Sequence, residues 1–130
     1  MKYLITGGAG FIGSHIARAL LQQGAEVRIF DNFSSGKREN LSGLDVEVIE
    51  GDLRDASRVT EAVRGVNVIF HEAAFVSVAE SMEKPQECFD VNVTGTSILF
   101  ESARRAGVNR IVIASSAAVY GDTTAMPLVE

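Results

Sequence analysis

Cysteine, proline and tryptophan are scarce in this chain of 130 residues, which holds one, two and none respectively. A lone cysteine, Cys88, excludes an internal disulfide and a cysteine-rich metal centre, so no metal is expected. There is no apolar run of 18 residues, and MKYLITGG goes straight into a strand-like pattern rather than a leader. The expectation is a cytoplasmic protein with no membrane partner. Basic residues are also the minority, 12 Lys and Arg against 17 Asp and Glu, for a net charge of −5. That balance speaks against a nucleic-acid partner, which calls for a basic face. It leaves room for an anionic ligand, because backbone N–H groups hold phosphate without any cationic side chain. What remains is ordinary: 46% hydrophobic residues, 22% charged and 12 glycines, in a length suited to one domain or part of one.

Two kinds of segment alternate. Short apolar runs at 2–6, 26–30, 46–50, 66–70 and 110–115 are rich in Val, Ile and Phe, as strands buried on both faces are. Between them lie helical patterns. Over 11–23, Ile12, Ile16 and Leu20 recur at every fourth position, and Gly24 follows as a stop. Asp55 is placed to cap a short helix over 55–64 carrying Val59, Ala62 and Val63, ended by Gly65. Pro85 opens a long helical stretch over 85–107, and 32–43 reads as a surface loop with a single helical turn. The alternation predicts an α/β fold, a right-handed parallel sheet with helices on both faces; as a doubly wound sheet of the Rossmann type its strand order would be 3-2-1-4-5.

The strongest motif is TGGAGFIGS at 6–14, between the first strand and the first helix. Gly8, Gly10 and Gly13 satisfy GxGxxG, and Gly7, Gly10 and Gly13 satisfy GxxGxxG. Glycine permits the tight turn, lets backbone approach a pyrophosphate and lets helix pack on strand. The helix N-terminus then offers free N–H groups and about half a positive charge. A P-loop is excluded, because no lysine lies between Lys2 and Lys37. Asp31 falls 18 residues after Gly13, at the end of the second strand. A carboxylate there accepts the two hydroxyls of an adenosine ribose and repels a 2′-phosphate, which selects NAD over NADP; Lys37 and Arg38 pull the other way. Asp52 follows the third strand and is open to two readings, an adenine contact or a turn and cap residue.

Taken in order, TGGAGFIGSH, DNFSSGKREN, GDLRD, HEAA, NVTGT and SSAAVYGD resemble the extended short-chain dehydrogenases/reductases, the NAD-dependent epimerases and dehydratases. Among these the likeness is greatest to the UDP-hexose 4-epimerases, of which 1–130 would be the N-terminal, incomplete NAD-binding Rossmann domain. The resemblance implies that Gly7, Gly10 and Gly13, with the backbone of Phe11 and Ile12, hold the pyrophosphate. Asp31 and Asn32 would meet the ribose, with Ser35 and Gly36 nearby, and Asp52 and Leu53 would flank the adenine. Ala73 and Ala74 would pass close to the cofactor, Asn92 matches a buried asparagine on the long helix, and Ser115 and Ser116 end the fifth strand. Ser116 would be catalytic, bonding the sugar oxygen at carbon 4; a hydroxyl at a strand end both donates and accepts.

The same resemblance implies a UDP-sugar substrate, epimerised through a transient 4-keto sugar, and a homodimer built on the 85–107 helix. The family's base is a Tyr followed four residues later by Lys. Here Gly7 stands four after Tyr3 and Thr124 four after Tyr120, so that pair is absent from 1–130. Alternatives within reach are a nucleotide-sugar dehydratase or decarboxylase, and a non-catalytic NAD-binding module. Against a dehydratase, Ala117 and Ala118 stand where acids would follow Ser116. His71 is expected to hold a loop rather than move protons, and His15 to lie on the surface or in packing.

Overall fold

The structure is a computed structural model that describes residues 1–122 and Pro127. Five parallel strands, β1 (Lys2–Thr6), β2 (Glu26–Asp31), β3 (Glu47–Glu50), β4 (Val68–His71) and β5 (Arg110–Ile113), form one sheet in the order β3-β2-β1-β4-β5. The central strand pairs Thr6 with Phe30 on one side and with His71 on the other. The C-terminal ends of β1, β2 and β4 therefore lie level, and the order reverses direction at β1. Loops leaving those ends enclose the crevice in which doubly wound sheets take ligands.

Helices cover both faces. Alpha helix α1 (Phe11–Gln22) packs its Ala17 on Ile5, Val27 and Ile29, with Ile16, Leu20 and Leu21 at the margin. On the other face α2 (Ala56–Ala62) brings Val59 and Ala62 against Leu4, Phe30, Ile49 and Ile69. Helix α1 ends as its sequence predicts. Gly24 has φ +73°, its N–H bonds Leu21 and the Ala25 N–H bonds Leu20, the paired bonds of a left-handed glycine stop. Asp55 caps α2 by accepting from the N–H groups of Ser57 and Arg58 at 3.0 and 3.1 Å. Arg28, buried in β2, closes the other end of that helix by donating to the carbonyls of Ala62 and Arg64.

Two expectations need correction. Ile12 does not join the core stripe; it is 59% exposed, because the small residues Gly13, Ser14 and Ala17 are the buried ones and turn the bulkier side chain outward. The stretch after β4 contains a helix that the strand-and-helix reading left out, α3 (Val78–Glu83), whose Ser77 cap accepts from the Glu80 N–H at 3.2 Å. The helical stretch opened by Pro85 is present and interrupted: α4 (Pro85–Phe89), one wide π turn over Asp90–Gly95, and α5 (Thr96–Ala106), ended at Gly107. Helix α5 supplies Leu99 and Ala103 to the same core as α2. In the 32–43 loop the expected helical turn is present, as a 3-10 turn over Arg38–Leu41.

Candidate functional site

The junction of β1 and α1 is built from main chain. Gly7, at φ +66°, turns the chain, and a Cβ placed on it would stand 2.7 Å from the backbone nitrogen of Ala73. A Cβ on Gly13 would stand 2.5 Å from the Gly7 carbonyl oxygen, so the helix lies directly on the turn. At Gly10 only the Gly7 carbonyl would be near, at 3.1 Å, and otherwise the space is open. Gly10 caps α1 with no side chain. The amide groups of Phe11, Ile12 and Gly13, which have no carbonyl a turn earlier to bond, thus point out of the helix end. The flanking Phe11 and Ile12 side chains are exposed. Unpartnered N–H groups, a positive helix end and glycines that let backbone come close are what a diphosphate requires, so the residues present fit NAD.

Asp31 closes the opposite rim. It is only 7% exposed, and its two carboxylate oxygens accept from the Ala9 N–H at 2.9 Å and the Phe33 N–H at 2.8 Å. Phe33 adopts φ +56°, which the bond to Asp31 holds in place. A Cβ on Gly36 would lie 3.0 Å from both Asp31 oxygens, so glycine keeps that carboxylate open from one side. The N–H of Lys37 and the Asn40 amide both bond the Ala9 carbonyl, tying the loop after β2 to the glycine turn. Arg38 does not reach toward Asp31. Its guanidinium lies 4.1 Å over the Phe33 ring and pairs with Glu50, which removes the sequence argument for a 2′-phosphate clamp at that residue.

Asn32 donates to Asp52 at 3.1 Å, bringing together two residues read separately from the sequence. Arg54 clasps Asp52 through Nε and a terminal nitrogen at 2.8 and 2.7 Å, and this bonding holds the Asp52 carboxyl well below the usual carboxylate range. Leu53 is buried, its Cβ beneath Gly95, while Ser35 lies exposed in the turn. Ala73 and Ala74 follow β4, with Ala73 against Gly7. Asn92, in the π turn, has both ends of its amide on one residue. It accepts from the Phe75 N–H at 2.8 Å and donates to the Phe75 carbonyl at 3.0 Å, so it holds the 72–77 loop.

His71 is 3% exposed. Its Nδ1 lies 2.6 Å from the Thr6 hydroxyl and its Nε2 2.9 Å from that of Thr96. Burial lowers its pKa to about 4, so the ring is neutral. The loop-holding role expected of it thereby acquires partners, two threonines that are 65 and 25 residues away and that no local pattern could supply. Burial also pushes the neighbouring Glu72 carboxyl up.

Ser115 and Ser116 lie beyond the end of β5 rather than in it. Ser116 instead caps a 3-10 turn over Ala117–Tyr120, its Oγ accepting from the Ala118 N–H at 3.2 Å. Tyr120 stands in that turn and is half-exposed. Among the described residues no group of three or more His, Cys, Asp or Glu gathers as for a metal ion, and no helix is long and apolar enough to cross a membrane. A groove of about 560 Å³ lies between α2 and α5, away from the strand ends where the glycine turn sits.

Residues 3–130 match the family described as the NAD dependent epimerase/dehydratase family. A UDP-glucose 4-epimerase from Klebsiella pneumoniae is 45% identical, over 100% of this chain and 99% of its own length. The structure of the Thermus thermophilus UDP-glucose 4-epimerase in complex with NAD superposes with a TM-score of 0.92 at 43% identity, over 100% of this chain but only 42% of the other. A dTDP-glucose 4,6-dehydratase from Streptomyces venezuelae superposes with a TM-score of 0.80 at 38% identity, over 85% of this chain and 38% of the other. The chain thus spans about two-fifths of the length of these two solved relatives.

Proposed function

Since this chain belongs to the NAD dependent epimerase/dehydratase family, we propose that residues 1–130 are the NAD-binding part of an enzyme that inverts carbon 4 of a UDP-hexose. The observation that carries the reading is the uncapped α1 N-terminus beside a glycine turn, with the Asp31 carboxylate on its rim. Gly7 and Gly13 let the turn and the helix close on each other, Gly10 leaves room for the diphosphate, and the amides of Phe11 and Ile12 bind it. Asp31 takes the adenosine ribose, with Asn32, Ser35 and Gly36 around it. Asp52 and Leu53 border the adenine. Ala73 and Ala74 line the path of the cofactor beyond the phosphates.

When bound, NAD supplies hydride acceptance and return at carbon 4. Ser116 is the catalytic residue assigned here. Its capping bond uses one lone pair, so the hydroxyl keeps its proton to donate and a second lone pair to accept from the carbon-4 oxygen. The family's Tyr and Lys pair does not occur within these 130 residues, and proton transfer is assigned to no residue of them. The substrate class rests on the likeness to UDP-glucose 4-epimerases and on Ala117 and Ala118, which offer no acid beside Ser116 for eliminating water.

The test is to incubate the complete protein with UDP-galactose and follow the sugar by NMR. UDP-glucose is the expected product. A stable 4-keto-6-deoxy sugar formed from a nucleotide-glucose would move the protein to the dehydratases, and NAD binding without turnover would leave a binding module. Ser116→Ala is expected to lower kcat at least ~100-fold while leaving NAD affinity unchanged.

A further inference from the structure

The bonds around His71 determine where its proton sits. Thr6 has no exposed surface, and its Oγ1 has two partners among the described residues, His71 Nδ1 at 2.6 Å and the Ala73 N–H at 3.3 Å. The Ala73 amide can only donate, so Oγ1 accepts there. Were Nδ1 also to donate, the Thr6 hydroxyl would accept twice and its own proton would be buried with no acceptor, a costly arrangement. The consistent solution runs one way. The Ala73 N–H donates to Thr6, Thr6 donates to Nδ1, and the Nε2–H donates to Thr96, whose hydroxyl is only part-buried at the end of the π turn.

This chain joins the segments that the proposed site uses. Thr6 immediately precedes Gly7, and Ala73 is the residue whose backbone fills the space beside Gly7. Thr96 follows the π turn from which Asn92 holds Phe75. The loop over 72–77 is thus held at Ala73 by Thr6 and at Phe75 by Asn92, and His71 bonds both Thr6 and Thr96, four residues after Asn92.

We propose that His71 is a positioning residue: in its Nε2–H tautomer it orients the Thr6 hydroxyl so that Ala73 is held against the glycine turn, setting the wall past which the dinucleotide runs. The link to the dinucleotide rests on the NAD reading above; the direction of the hydrogen bonds does not.

Nitrogen-15 NMR of the complete protein at neutral pH, without ligand, is expected to show His71 protonated at Nε2 and bare at Nδ1. Thr6→Val, which keeps shape and loses the hydroxyl, is expected to raise the hydrogen-exchange rate of the Ala73 amide about tenfold while amides in β3 and α2 keep theirs. Thr6→Ser should restore the slow rate, which a variant defective in packing alone would not do. Calorimetric titration should give an NAD Kd about tenfold higher for Thr6→Val than for Thr6→Ser. A proton on Nδ1, or an Ala73 amide indifferent to Thr6→Val, overturns the proposal, as does an NAD affinity unmoved by a variant whose Ala73 amide has loosened. If the unaltered protein binds no NAD, the functional reading fails, while the tautomer and the exchange rates still decide the His71 chain.

Discussion

Replacing Gly13 with alanine sets two opposed effects against each other. Gly13 lies inside α1, where alanine is intrinsically favoured over glycine by about 1 kcal/mol. The new Cβ would stand 2.5 Å from the Gly7 carbonyl oxygen and 2.7 Å from the Gly8 Cα. Both are backbone atoms, and Gly7 is itself backed by Ala73, so neither yields by rotating a side chain. The helix has to move off the turn, an overpacking that costs roughly 3 kcal/mol, at the upper end of the usual range for one added methyl group. The net expectation is a loss of about 2 kcal/mol, together with NAD binding at least ~10-fold weaker, because the amides of residues 11–13 move with the helix. Gly24→Ala is the control. It has φ +73° with nothing within 4 Å, so it should cost about 1 kcal/mol of backbone strain and leave NAD binding alone. Denaturant unfolding and calorimetric titration measure the two quantities. Should Gly13→Ala prove as stable as the parent and bind NAD equally well, the helix does not rest on the turn and the argument for the site fails.

Asp31→Asn keeps one carbonyl acceptor and turns an amide toward a backbone N–H, so it should lose about 1.5–3 kcal/mol in urea unfolding as well as NAD affinity. Gly36→Ala places a methyl 3.0 Å from both Asp31 oxygens and should weaken NAD by calorimetry more than it lowers the unfolding midpoint. Asn92→Ala leaves the Phe75 N–H and carbonyl without their partners, and hydrogen exchange over 72–77 should quicken while α2 stays protected. His71 has a folded pKa of about 4 against 6.5 unfolded, so the unfolded chain binds the extra proton. Its contribution is complete above pH 6.5 and falls progressively to about pH 4, a loss of about 3 kcal/mol that a urea series over this range should reveal and that His71→Gln should abolish.

The sheet was legible because its signal is local and repeated: each strand is a short apolar run, and the glycine motif fixes where the first one turns. The strand order came from the Rossmann type that the glycine motif points to, because handedness alone allows more than one doubly wound order. Asp55 and Gly24 were readable as helix ends because capping acts over three or four residues. The same rule could have revealed α3, since Ser77 and Glu80 stand three apart, but its apolar pair, Val78 and Met82, spans a single turn and is too short to stand out as a stripe. The π turn was not legible, because one extra residue in a turn leaves little mark on a helical pattern. Ile12 was misread because periodicity locates a face by its large residues, whereas here the close contact selects the small ones. The partners of His71, Asn92 and Arg38 were out of reach in principle, since each is made by chain segments that only the folded sheet brings together.

Polar side chains at the ligand end of the sheet share one habit, that of gripping protein groups before any ligand arrives. Asp31 holds Ala9 and Phe33, Asn92 holds Phe75, Ser116 holds Ala118, and His71 holds two threonines. Such bonds order the loops in advance, so binding does not have to supply that ordering. They also limit what may bind. A carboxylate offers about four acceptor positions, of which Asp31 already uses two, leaving about two for a ligand. A ribose with both hydroxyls free supplies two donors and matches that remainder. A 2′-phosphorylated ribose supplies one donor fewer and sets a dianion against a buried carboxylate, while Arg38 in the loop after β2 is engaged by Glu50 and Phe33. The preference for NAD therefore follows from the number of open acceptor positions as well as from charge.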